Sequence, residues 1–573
     1  MLMKSINTIL TSTVFALTLA ACGGGGDDDD GDGATSSPTN PDITASHQVL
    51  AFNDLGMHCA DLDYSVFSIL PPYNVLHAQV IERGATPRIL DISGVEVSYR
   101  GVADAAGSIN TTSQNQAGGV WKTNFWDTNP ATGNSYAFDL FGLDPVPDEG
   151  LLFGQRMPGI SDPYTANVAQ TFSHYDPNRQ WFAADGIPIM PIDDFGQTNT
   201  YPLMRISAVD QATATNLANL DVVVPVAAEA DCQNCHASAQ DRDNYPDPAD
   251  LLNAAKRNIL GLHDAEHGTD LASNTPVLCA SCHYSAALDL AGDGPVGEQV
   301  GNPTMSNVMH EFHGLEADFP SDSMEDTCYQ CHPGKQTQCL RGAMGSAGMD
   351  CVDCHGGMLA VGNPDRQPWL DEPRCESCHT GNAVDNLAGE PGTVVNAVDV
   401  EGNVDGIRLR QAWLEGDSDA TPIMDTGSDF AEDPGELYRN SLGHGGVACE
   451  ACHGSTHAIW PTTKANDNQA AIDLQGYSGT ITECGVCHTS VPLNLEGPHG
   501  MHVVDSDAWD LQHGDLYEDN LNACRACHGV NLEGTVLSRA ASDRVYLRND
   551  DGATISVAKG TPISCTLCHG MPD

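Results

Sequence analysis

Nine times along this chain, two cysteines separated by two residues are followed at once by histidine. The first five motifs are Cys232, Cys235 and His236; Cys279, Cys282 and His283; Cys328, Cys331 and His332; Cys351, Cys354 and His355; Cys375, Cys378 and His379. The last four are Cys449, Cys452 and His453; Cys484, Cys487 and His488; Cys524, Cys527 and His528; Cys565, Cys568 and His569. Thiols in this spacing add across the two vinyl groups of haem, and the adjacent imidazole becomes the proximal iron ligand. Each motif therefore reads as a c-type haem attachment site. Zinc ribbons also use Cys-x-x-Cys pairs, joined in fours, but they do not require a histidine after every pair. The expected cofactor is haem c, nine copies, covalently attached.

Removing the nine motif histidines from the twenty-two in the chain leaves thirteen. Four fall in the N-terminal part: His47, His58, His77 and His174. The other nine are His263, His267, His310, His313, His444, His457, His499, His502 and His513. Nine motifs and nine spare histidines in the same stretch predict two imidazole ligands on every iron. His263 and His267, His310 and His313, and His499 and His502 are spaced three or four apart. Each pair shares a helix face and can reach two adjacent irons. His453 and His457 would serve different irons. His47 or His58 could stand in for one of the nine; His77 and His174 read as structural. Iron with two histidines is coordinatively saturated and offers a substrate no open site.

Three cysteines remain. Cys22 ends Leu19-Ala20-Ala21-Cys22, which follows an apolar run and resembles a bacterial lipobox. That resemblance implies a lipoprotein signal peptide over 1–21, cleavage before Cys22 and acyl groups on that residue, with several chains giving stable membrane attachment. Ordinary secretory cleavage nearby is the alternative. With Gly23 next, the destination is the outer membrane, and no later stretch has the ~20 apolar residues of a membrane helix. Cys59 and Cys339 are the other two. In an oxidising compartment a bridge between them would pin the two parts of the chain together; separate buried thiols are the alternative.

The elements that must position these groups are of two kinds. After Cys22, residues 23–45 are mostly Gly, Asp, Ser, Thr and Pro, a linker that cannot bury a core. Residues 46–229 carry no motif, and short alternating segments such as Val95–Arg100, Leu203–Val209 and Leu220–Val226 predict a β-rich, sandwich-like domain. The dense Gly, Pro and aromatic stretch from Asn53 to Asn74 reads as an ordered segment on its edge. Residues 230–573 predict a haem-packed domain, mostly α and loop, with a hairpin near Val394–Val400. The last motif stands four residues from the C-terminus, so its haem should lie near an edge.

Lys+Arg number 24 against Asp+Glu 78, a formal net charge of −54. Such a surface repels nucleic acid and anionic lipid headgroups. It suits a basic redox partner, cations such as Ca2+, a positively charged mineral, or simply saline surroundings.

On its signal, its nine motifs and its spare histidines, the chain resembles the outer-surface multihaem c-type cytochromes of metal-reducing bacteria, which carry out extracellular electron transfer. The resemblance covers the signal and roughly residues 230–573. It implies an electron carrier rather than an enzyme, at the outer membrane or cell surface or on its periplasmic side, passing electrons to redox partner proteins or extracellular acceptors. The competing reading is a multihaem reductase with one open catalytic haem. Several such enzymes replace a motif histidine with lysine, and no such replacement occurs here. A third reading makes the β domain an adhesion or docking module. Head-to-tail contact through the terminal haem would build filaments if the interface does not close, and the charge opposes that unless cations bridge.

Overall fold

The computed structural model describes residues 45–142, 168–366, 394–409, 438–490 and 513–570, with short breaks inside several of these stretches. The signal segment, Cys22, the linker up to residue 44, the fifth motif, His499, His502 and the Cys527 side chain lie outside the described residues.

The N-terminal part is sheet. It contains β1 (His47–Asn53), β2 (His58–Cys59), β3 (Phe67–Ser68), β4 (Tyr73–Glu82), β5 (Arg88–Leu90) and β6 (Val95–Val102). These are followed by β7 (Gln170–Thr171), β8 (His174–Asp176), β9 (Trp181–Pro188), β10 (Leu203–Asp210), β11 (Asn216–Val223) and β12 (Val226–Ala227). One sheet runs β1-β4-β9-β8 with β5 beside β4, and a second runs β11-β10-β6-β7. The pairings within both are antiparallel, and β1 lies against β11 where the sheets meet. This is a sandwich. Along β6, Val95, Val97, Tyr99 and Gly101 are buried while the residues between them are more open, as one-sided burial requires.

β4 departs from that alternation: every residue except Glu82 is buried. Its second face is covered by the later part of the chain. The Gln79 side-chain amide donates to the Gly446 carbonyl at 3.0 Å and accepts from the Ala448 amide at 3.0 Å. Ser455 Oγ donates to the Asn53 carbonyl at 2.8 Å. Ala448, Ala451, Ala470, Leu474 and Val486 belong to the same apolar cluster as Val49, Phe52, Leu76 and Ile206. The boundary expected near residue 230 is therefore a change of secondary structure within one shared core.

Beyond Glu229 the described chain is mostly short helices and turns, as the sequence suggests. α1 (Tyr136–Phe141) belongs to the sheet region; α2 (Gln233–His236), α3 (Ala239–Asn244), α4 (Pro248–His267) and α5 (Met305–Glu316) follow it. α4 starts with Asp247 accepting from the Ala249 amide and Pro248 in the first turn, and stops at Gly268, whose φ of 69° suits a residue without Cβ. Its buried residues include Leu252, Ala255, Lys256 and Leu260, one face at helical spacing. That face meets the Asn53–Asn74 segment. Lys256 Nζ donates to the Asp63 carbonyl at 2.7 Å, the Phe67 carbonyl at 3.0 Å and Asp61 Oδ1 at 3.1 Å. Phe67, Val66 and Leu260 form a small core there, and β3 pairs with β13 (Val277–Leu278), directly before the second motif. The expected hairpin is β14 (Val394–Val398) with β15 (Val404–Leu409).

Candidate metal and cofactor centres

The described motifs share one backbone form. The histidine amide donates to the carbonyl of the first cysteine at 2.9 Å in His236, 3.0 Å in His283, 2.8 Å in His332, 2.9 Å in His488 and 3.2 Å in His569. Cys351–His355, Cys449–His453 and Leu521–His528 are helical. One helical turn puts the two cysteines, three apart, and the histidine, four from the first, on one side. That is the physical content of the spacing.

The attachment cysteines are not enclosed alike, which the uniform spacing gives no reason to expect. Among the second cysteines, Cys235 and Cys331 are exposed, whereas Cys282, Cys354, Cys452, Cys487 and Cys568 are half-buried. The first cysteines Cys232, Cys279, Cys328, Cys351, Cys449, Cys484, Cys524 and Cys565 are half-buried as well. No disulfide joins the two cysteines of any motif whose side chains are all described. Cys282 has a contact outside its own turn: its thiol donates to Glu298 Oε2 at 3.3 Å. Cys375, Cys378 and His379 of the fifth motif fall outside the described residues, as does the Cys527 side chain of the eighth. The expected attachment through Cys375, Cys378 and His379 therefore rests on the sequence alone.

Six of the motif histidines face one of the spare histidines. Ring centres lie 6.2 Å apart for His236 and His313, 6.5 Å for His283 and His263, and 5.8 Å for His332 and His310. They lie 6.3 Å apart for His355 and His457, 6.1 Å for His488 and His444, and 5.9 Å for His569 and His513. Two metal–imidazole bonds of about 2.0–2.1 Å each, with the distance from nitrogen to ring centre on both sides, span roughly 6.3 Å. The six pairs are thus spaced as axial ligands to one metal ion each. No rule of secondary structure imposes this, because the partners come from different elements.

Hydrogen bonding fixes which nitrogen is free. Nδ1 donates to a backbone carbonyl in His283 (Pro303, 2.8 Å), His310 (Ser306, 2.8 Å), His313 (Met309, 2.6 Å), His488 (Ala85, 3.2 Å), His528 (Ile563, 2.7 Å) and His569 (Gly570, 2.6 Å). In His263, Nδ1 bonds Thr269 Oγ1 at 2.8 Å, and that hydroxyl spends its own proton on Asp264. A carbonyl only accepts, so Nδ1 carries the hydrogen and Nε2 of the neutral ring keeps its lone pair. Burial then disfavours a second proton. It holds His236 and His263 below the usual imidazole range, and it pushes His310 down to about 4.

Among the described residues no group of three or more His, Cys, Asp and Glu converges on a metal. A zinc ribbon needs four such ligands. A haem iron takes two axial ligands from protein and the rest from porphyrin, so pairs of imidazoles are what that group requires. Apolar side chains flank the pairs: Leu262 beside His263, and Phe312 edge-on to His313 at 5.9 Å between ring centres. The residues present fit haem.

The remaining site residues are placed as follows. His267 is on α4 with its ring 4.8 Å from that of His263. His453 ends its motif helix, and His528 ends the helix Leu521–His528. His499 and His502 lie outside the described residues. His47 opens β1 and bonds Ser46 Oγ at 2.9 Å. His77 stacks on Trp181 at 4.3 Å, and His174 pairs with Asp185 at 2.8 Å. His58 is buried in the sheet region near Asp54, and its Nε2 has no hydrogen-bond partner. Burial pushes it down to about 4, with Arg439 and His77 adding to this and Asp54 opposing it. Cys59 and Cys339 are free thiols. Burial pushes each up to about 12. The bridge expected between them is not formed; both are held as protonated thiols, the unreactive form. The carbonyls that orient the imidazoles have no counterpart in the sequence reading. For His310 and His313 the signal is there, since each bonds the carbonyl four residues earlier on its own helix.

No family model matches the chain, and comparison with curated proteins and with solved structures gives no match either.

Proposed function

We propose that this protein is a multihaem c-type cytochrome that carries electrons along a row of bis-histidine haems. The observation that carries the reading is the set of six motif histidines, each opposite a spare histidine at the width of one metal ion. Haem, when bound, supplies one-electron redox chemistry. The chain's own residues do the rest: cysteine pairs on one helical turn anchor the group, two imidazoles close its iron, and carbonyls hold both rings in the ligating tautomer. Closing both axial positions removes the place where a substrate would bind, so the protein acts as a carrier rather than an enzyme. Acyl groups on Cys22 would hold it at the outer membrane, facing the cell surface, with basic redox proteins or extracellular acceptors as partners and Ca2+ as a candidate counterion. Among the described residues no helix is long and apolar enough to cross a membrane.

Low-temperature electron paramagnetic resonance of the oxidised holoprotein, with carbon monoxide titration of the reduced form, tests the reading. The expected result is low-spin signals only and no carbon monoxide uptake. A high-spin signal of about one haem with matching uptake would instead select a reductase with one open iron.

A further inference from the structure

The pairings do more than close irons: they fix which sites are neighbours. We infer that the sites do not follow chain order, and that the second motif forms one end of a row running 2-1-3-4-6-7 toward the eighth and ninth. This rests on the haem reading above.

Each step of the row has its own contact. α4 joins the second and first motifs. Its Asn258 Nδ2 donates to the His236 carbonyl at 2.7 Å, and His263, about 7.5 Å further along the helix axis, faces His283. α5 then turns the chain back. It starts beside the second motif, where the Met305 amide donates to the Tyr284 carbonyl at 2.8 Å. Its His310 faces the third motif and its His313 faces the first. These two ligands are separated by only about 4.5 Å of helix rise, which places the first and third sites side by side. The backbone agrees: the Asp231 amide donates to the Gln330 carbonyl at 2.9 Å, and Asn234 Nδ2 donates to Gln330 Oε1 at 2.8 Å.

α5, whose His310 faces the third motif, also reaches the fourth: Asn307 Nδ2 donates to the Gly362 carbonyl, seven residues after His355. His355 of the fourth takes its partner, His457, from the turn after the sixth motif. His488 of the seventh takes His444 from just before the sixth, and the Ile481 amide donates to the Cys452 carbonyl at 2.9 Å. Glu483, preceding the seventh motif, pairs with Lys559, shortly before the ninth. His528 of the eighth bonds the Ile563 carbonyl beside the ninth at 2.7 Å.

The end made by the second motif carries exposed apolar side chains. Leu262 is 59 % exposed, Val296 63 % and Val300 65 %. The last two flank a turn that Gln299 Nε2 ties to the Ala280 carbonyl at 2.6 Å. A row whose chain doubles back thus has one terminus in the middle of the sequence and the other near Asp573.

Iron-edge anomalous diffraction from crystals of the holoprotein would locate the irons. Expected is an iron on the first motif, ligated by His313, lying between those on the second and third. The companion variant His313→Ala should open one iron, seen as a single high-spin signal, with the haem content of the wild type. An iron order of 1-2-3, or His313 on any other iron, would overturn the inference while leaving the haem reading intact. Crystals without iron, together with no covalent haem in a pyridine haemochromogen assay, would overturn both.

Discussion

At the scale of single residues, the attachment motifs and the pool of axial ligands are legible because covalent chemistry fixes them in a short, exact spacing. Which imidazole meets which is not. His355 and His457 lie far apart in the chain, and the fold brings their ring centres to 6.3 Å. His58 shows the converse. It is a possible ligand by type, and the fold buries it beside Asp54 and Arg439. Arg439 Nη1 donates to both Asp54 oxygens at 2.6 Å. Burial would raise that carboxyl, but His77, Arg439 and His58 hold it below the usual range. The His58 ring stays neutral in the folded protein to about pH 4, while the unfolded chain takes up its proton near 6.5. Between these pH values the unfolded state binds more protons, so stability falls as pH drops through the window and levels off below it. The loss is about 3 kcal/mol in all. Urea unfolding of the holoprotein and of His58→Gln at pH 7 and pH 5 should show a smaller acid loss in the variant; equal losses would refute the assignment.

At the scale of elements, alternation finds β6 and β10, because a strand with one wet face writes its burial into period two. It cannot show that β4 is covered on both sides, since residues such as Asn74, His77 and Gln79 look solvent-facing in sequence. Nor can it foresee α4 as a clamp. A lysine in a helix normally faces water, yet the Lys256 side chain is 2 % exposed against Asp61 at 8 %. Replacing it by methionine keeps the stem and removes the charge, leaving Asp61 and two carbonyls short of a donor. Breaking such a buried pair costs about 3–5 kcal/mol. Lys256→Met should therefore lower the unfolding free energy by that amount, and should loosen the Asn53–Asn74 segment first, as hydrogen exchange on Val66–Leu70 would report. An unchanged urea midpoint would mean the pair contributes nothing.

At the scale of the whole molecule, a sheet-rich part followed by a helix-and-turn part is readable, and the shared core is not. Composition marks where haem motifs begin but not what they pack against. Ala448, Ala451 and Val486 sit in the core of the two sheets, so the sheet region is not an independent module. A chain ending at Glu229 should expose that face and bind a hydrophobic dye or aggregate. A soluble monomer unfolding cooperatively would contradict this and would restore the sheet region as a separable docking domain. The contact that links the parts also sets a timetable. Gln79 on β4 bonds Ala448, 369 positions later, and contacts so distant close slowly. The strand is among the first parts of the molecule to be synthesised, and its second face cannot be completed until the sixth motif has been made and has arrived.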